Sequence, residues 1–94
     1  MVTINKQQKF ILSPEVLSQN IDDETVLLDM KSENYFGIND VGSRVLEILR
    51  PGADLDSIVE TLANEYEVER SQLEDDISEL LQQFLDAGLI HPKA

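Results

Sequence analysis

The sequence has no cysteine and no tryptophan, one histidine, aromatics at only 5%, and 7 lysines and arginines against 19 aspartates and glutamates. Each scarcity closes a route. Without thiols there is no disulfide framework, no zinc-ribbon spacing and no sulfur nucleophile, so the chain has no need of an oxidising compartment. A formal charge of −12 at pH 7 excludes a surface built for phosphate backbones or anionic lipid, because both require clustered cations. His91 stands beside Pro92 with no cysteine to pair with, which leaves neither a nucleophile couple nor a metal cluster. Asp75 and Asp76 are neighbours that would project in different directions from a helix, so they make no acid/base dyad, and there is no glycine-rich phosphate loop. No apolar run reaches the ~20 residues of a bilayer span, and residues 1–17 lack the charged start, apolar middle and small-residue cleavage site of a secretory signal. The expectation is a soluble, cytoplasmic protein that is not an enzyme, with no metal, cofactor, membrane or nucleic-acid partner.

What remains is 94 residues at 41% hydrophobic and 28% charged, which suits one α+β domain spanning residues 1–94. A chain this short buries only about 60% of its unfolded surface, so it can offer a shallow groove but not an enclosed active site. Residues 1–9 are polar around isolated Val2 and Ile4, and the stretch up to residue 12 reads as a loose N-terminal arm. Residues 16–21 admit a short strand, weakened by Ser18, Gln19 and Asn20. Residues 24–30 make a stronger one, with Val26, Leu28 and Met30 sharing a face under the period of two. Residues 31–34 are the turn, and Tyr35, Phe36, Gly37 and Ile38 form the returning strand, Phe36 and Ile38 on one face and Tyr35 on the other. Together they close a hairpin.

From Asn39 the period becomes helical. Asn39 or Asp40 can cap a first helix with Val41, Val45, Ile48 and Leu49 as its apolar positions, stopped at Arg50, Pro51 and Gly52. Asp54 caps a second helix striped by Leu55, Ile58, Val59, Leu62, Ala63 and Tyr66. The third opens on Ser71-Gln72-Leu73-Glu74, the spacing of a capping box. It turns Leu73, Ile77, Leu80, Leu81, Phe84 and Leu85 to the core and stops at Gly88, after which Leu89 and Ile90 tuck back. A small antiparallel sheet of two or three strands followed by three helices is the element order of a winged helix-turn-helix-like domain with its wing first.

The run Val26-Leu27-Leu28-Asp29-Met30, then Tyr35-Phe36-Gly37-Ile38-Asn39, Gly42, Leu46 through Leu49, Tyr66 and Ala87-Gly88-Leu89, resembles the PqqD family, the peptide-recognition element of ribosomal-peptide biosynthesis. The resemblance spans residues 12–90. With Leu-Leu-Asp ahead of the turn, it is more similar to the stand-alone leader-binding proteins of lasso-peptide pathways than to the quinone-cofactor pathway member. It implies that the leader of a precursor peptide adds as an antiparallel strand to the edge of the 35–38 strand, in a groove walled by the third helix. A separate leader peptidase would be the partner enzyme, with a cyclase acting afterwards.

The physics of that mode stands without the family. A strand edge supplies main-chain hydrogen bonds, and pockets beside it select alternate side chains of the guest. Gly37 lets another backbone approach closely. On the helical wheel Asp76, Leu80 and Gln83 lie at one border of the third helix's apolar stripe with Glu79 just beyond, while Ser78 and Leu85 lie at the other. The wheel does not say which border meets the strand. The peptide-binding candidates are therefore Tyr35, Phe36, Gly37, Ile38, Asp76, Glu79, Leu80 and Gln83, with Phe36 and Ile38 leaning to the core and Tyr35 to contact.

Two rivals and one assembly question follow from the same residues. A DNA-reading winged helix fails on charge, since residues 71–87 carry Glu74, Asp75, Asp76, Glu79 and Asp86 with no lysine or arginine. An acyl or peptidyl carrier would use Ser57, in Asp56-Ser57-Ile58, as its phosphopantetheine site; ordinary capping explains that serine equally well, and carriers are all-helical. A free strand edge leaves either a monomer or a weak dimer.

Overall fold

The structure, a computed structural model, describes residue 5, residues 7–22 and residues 24–93. Val2, Ile4 and the rest of residues 1–4, part of the expected arm, lie outside the described residues. The chain runs β1 (Phe10–Leu12), β2 (Val16–Ile21), β3 (Glu24–Asp29), β4 (Asn34–Ile38), α1 (Asp40–Leu49), α2 (Leu55–Glu65), α3 (Arg70–Asp86) and β5 (Ile90–Pro92). It is α+β, with one antiparallel sheet of order β2-β3-β4 and a second of β1 with β5.

That second sheet corrects the loose-arm expectation for residues 10–12. β1 pairs with β5 in the register Phe10↔Pro92, Ile11↔His91 and Leu12↔Ile90, and Phe10 is 3% exposed. Phe10 and Ala53 also exchange backbone hydrogen bonds, 2.8 and 3.2 Å long, across the α1–α2 connection. One buried aromatic and a borrowed partner strand hold a three-residue apolar segment that follows a polar stretch. Pro92 is compatible because this ladder is only two strands wide, where a missing N–H can point outward.

β3 sits in the middle of the larger sheet. Its core-facing residues are Thr25 and Leu27, 8% and 0% exposed, not Val26, Leu28 and Met30, so the apolar set seen in the sequence faces outward. Thr25 is tolerated inside because its hydroxyl is satisfied: it accepts from Ser43 Oγ at 2.7 Å and donates to Asn20 Oδ1 at 3.1 Å. The helices close the other side of the core through Val45, Leu49, Ile58, Leu62 and Leu81, each 0% exposed. Val41 and Tyr66, expected on the apolar stripes, are exposed instead.

Two helix starts follow the chemistry expected of them and one does not. Asn39 caps α1 by accepting from the Gly42 N–H at 2.8 Å, and Asp54 caps α2 by accepting from the Ser57 N–H at 2.8 Å. For α3 the N-cap is Glu69, which makes no side-chain cap bond. Ser71 lies inside the helix, its hydroxyl donating to Glu69 Oε1 at 3.0 Å, so the capping box is corrected: the helix begins a turn-fraction earlier than the serine suggested. Gly88, φ +75°, supplies the left-handed stop.

The hydrogen bond from the Ser57 N–H holds the Asp54 carboxyl below its ordinary value. A depressed folded-state value means the cap contributes fully above the ordinary carboxylate range and is lost as pH falls through the depressed one. Asp54→Ala should therefore lower stability at neutral pH by about 1 kcal/mol. Denaturation at stepwise lower pH should show the gap between wild type and variant shrinking; a constant gap would count against the cap. At the other end of α2 Arg44 bridges Glu47 at 3.1 Å and Glu65 at 2.6 Å, tying α1 to α2. Its guanidinium holds the Glu65 carboxyl below the usual range.

Candidate functional site

β4 is an end strand of its sheet, and among the described residues no strand pairs with its outer side. The register determines what that edge offers. Ile21 and Glu24 close the two-residue connection between β2 and β3, and such a connection closes on a pair that exchanges both hydrogen bonds. Alternation then directs Thr25, Leu27 and Asp29 of β3 toward their β4 partners Ile38, Phe36 and Asn34. The backbone N–H and C=O groups of Tyr35 and Gly37 are left pointing outward, two donors and two acceptors spaced for another strand.

Beside this edge lies an open groove of about 580 Å³. β4 contributes Tyr35, Phe36, Gly37 and Ile38. α3 contributes Leu80, Gln83 and Phe84 and its C-cap contributes Ala87, one face at the i, i+3, i+4, i+7 spacing. Gly42, Asn39 and Leu89 complete the lining. Phe84 and Leu89, 4% and 1% exposed, form the deep floor; Tyr35, 72% exposed, stands at the rim.

The border left open by the helical wheel is thus the Leu80 and Gln83 side. Six of the eight sequence candidates meet in one groove. Asp76 and Glu79 lie outside its lining, exposed on α3, where Asp76 Oδ1 accepts from Gln72 Nε2 at 3.1 Å.

The sequence reading did not assign Gly42, Phe84, Ala87 and Leu89 to the groove. Gly42 carried the clearest signal, since a glycine in the first turns of a helix costs about 1 kcal/mol against alanine and needs a packing reason. The reason is contact: an added Cβ would stand 2.6 Å from Ile38 Cγ2 and 3.3 Å from Asn39 Oδ1. Gly37 has no such constraint. An added Cβ there meets nothing within 4 Å, it holds register with Val26, and its φ lies outside the left-handed region. The host fold does not require a glycine at 37.

Among the described residues no group of three or more histidine, aspartate or glutamate side chains could hold a metal ion, and no helix is long and apolar enough to cross a membrane. The carrier alternative does not fit the fold, because carriers are all-helical and the described residues form five strands beside the three helices.

Fold and groove together have the build of the strand-augmentation class of domains, whose open sheet edge takes an extended peptide. Within that class the chain belongs to the family described as coenzyme PQQ synthesis protein D (PqqD), whose sequence model matches residues 24–90. No curated protein matches it. Two solved structures are similar over nearly the whole chain. TbiB1 in complex with the TbiA(beta) leader peptide is 36% identical, with a TM-score of 0.82 over 89% of this chain and 98% of that one. Lasso peptide synthetase B1 complexed with the leader peptide is 34% identical, with a TM-score of 0.81 over 88% and 98%.

Proposed function

We propose that the protein is a single-domain adaptor of ribosomal-peptide biosynthesis, of the lasso type, that captures a precursor's leader and presents the remainder to a separate leader peptidase or modifying enzyme. It works in the cytoplasm and carries out no chemistry of its own. The observation that carries this reading is the coincidence of the open β4 edge with an apolar groove alongside it. The leader peptides in the two similar complexes support it.

The guest lies antiparallel to β4 and exchanges hydrogen bonds with the Tyr35 and Gly37 backbones. Its alternate side chains, those flanking Phe36 and Ile38, enter the groove against Leu80, Phe84 and Leu89; the others face solvent beside Tyr35. Main-chain bonds are indifferent to sequence, so selection rests on which apolar side chains fit between strand and helix. Asp76 and Glu79, outside the groove, act on approach rather than on fit. Each is an exposed acid contributing well under ~1 kcal/mol to any one pair, but residues 54–86 are densely acidic with Arg70 the one basic residue. Their summed field speeds encounter with a basic leader.

Fluorescence anisotropy with a synthetic leader tests this. Binding at micromolar protein is expected, with association slowing as salt shortens the Debye length toward ~8 Å at physiological strength. No binding of the leader encoded beside this gene, at tens of micromolar folded protein, overturns the proposal. Treatment with a phosphopantetheinyl transferase and coenzyme A should leave the mass at Ser57 unchanged.

A further inference from the structure

The larger sheet has a second end. β2 flanks β3 on the side away from β4, and among the described residues no strand pairs with its outer edge. Exposed edges are normally blunted by lysine, proline or inward-pointing charge. β2, Val16-Leu17-Ser18-Gln19-Asn20-Ile21, has none of these, in a chain of net charge −12. Leu17 and Ile21 are instead 45% and 54% exposed.

The pairing of Ile21 with Glu24 leaves the N–H and C=O of Ser18 and Asn20 pointing outward. A second copy laid antiparallel about Gln19 sets Ser18 opposite Asn20, a hydrogen-bonded pair made from those outward groups. It also sets Leu17 opposite Ile21, apolar against apolar on the outer face. Polar meets polar and apolar meets apolar under one two-fold axis, the requirement for a closed isologous interface. Charge agrees. Arg50, the C-cap of α1, shares a surface depression with Ser18, Asn20 and Glu47 and takes part in neither ion pair formed by Arg44. Asp22 lies at the other end of the edge, beyond Asn20. The two-fold brings Arg50 of one copy to the end of the edge where Asp22 of the other stands.

We propose that β2 is a homodimer edge, joining two copies about Gln19 into a continuous sheet of order β4-β3-β2-β2-β3-β4 with both β4 edges open to guests. The ladder is short against the ~1,200–2,000 Å² of a stable interface, and both copies are strongly acidic. The dimer therefore forms at high protein concentration, and salt, by screening the mutual repulsion, strengthens it.

Sedimentation velocity on the full chain, from micromolar to millimolar protein at low and high salt, reads this directly. The wild type should shift from monomer to dimer, more so in high salt. Ser18→Pro removes an outward N–H that the β3 ladder does not use and should weaken the dimer about thirtyfold, because symmetry deletes two hydrogen bonds at once. Circular dichroism checks its folding. Arg50→Glu, which alters no backbone group, should weaken the dimer as well and serves if the proline variant misfolds. A wild type that stays monomeric at millimolar protein in high salt overturns the proposal, as does a dimer that neither substitution touches.

Discussion

Gly37→Pro is expected to lower affinity for a leader peptide at least tenfold while the protein stays folded. Proline removes the Gly37 N–H, one of the groups that the register turns away from β3 and toward a guest. A hydrogen bond in this setting contributes about 1 kcal/mol net, and a guest carbonyl buried without a donor loses more. The ring also crowds the edge where the guest backbone must lie. The host is little affected, since proline is tolerated on a sheet edge whose N–H faces solvent and nothing lies within 4 Å of an added Cβ. The melting temperature should move by less than about 5 °C, the shift that ~1 kcal/mol produces in a domain of this size. Gly37→Ala is the control. It keeps the donor, so its effect should be several-fold smaller; equal losses from alanine and proline would mean that bare space at residue 37 matters and the main-chain bond does not.

Gly42→Ala should act in the opposite manner, on the host first and the guest second. The added methyl would stand 2.6 Å from Ile38 Cγ2 and 3.3 Å from Asn39 Oδ1, and neither neighbour yields easily. Isoleucine is stiff at χ1, and Asn39 is committed to capping α1. Overpacking of this kind costs about 1–3 kcal/mol, offset by the ~1 kcal/mol that alanine gains over glycine in a helix, so the melting temperature should fall by up to about 15 °C. Ile38 also lines the groove, so a displacement of its side chain should lower leader affinity along with stability. Thermal melts and titrations of Gly42→Ala, Ile38→Ala and the double variant separate the parts. If the clash is the cause, the second substitution costs less in the presence of the first, a coupling of 0.5–3 kcal/mol in contacting pairs. Strict additivity would remove Gly42 from the site.

Much of the architecture was readable from local chemistry. The β3–β4 hairpin, the three helices, the Asn39 and Asp54 caps and the Gly88 stop each follow from residues close together in the chain. What was not readable depended on distant partners. Phe10–Leu12 is a strand only because residues 90–92 return to it. β3 buries Thr25 and Leu27, although Val26, Leu28 and Met30 are the better hydrophobes, because Ser43 and Asn20 satisfy the threonine from other elements. At the groove, Tyr35, Phe36, Gly37, Ile38, Leu80 and Gln83 were accessible to pattern and wheel. The outward direction of the Tyr35 and Gly37 backbones was not, since it needs the registers of two successive strand pairs. The acids of α3 carried no positional information, and Asp76 and Glu79 turned out to flank the groove without lining it.

The β1–β5 pairing has a consequence for how the domain can be used. Lys93 donates its N–H to the Lys9 carbonyl at 2.7 Å, so the polypeptide enters and leaves the folded body side by side. A unit with adjacent stems can be inserted at a single surface point of a larger chain, or permuted by a short bridge across the stems, without stretching either flank. It is a cassette by geometry, and its open β4 edge can be grafted with it.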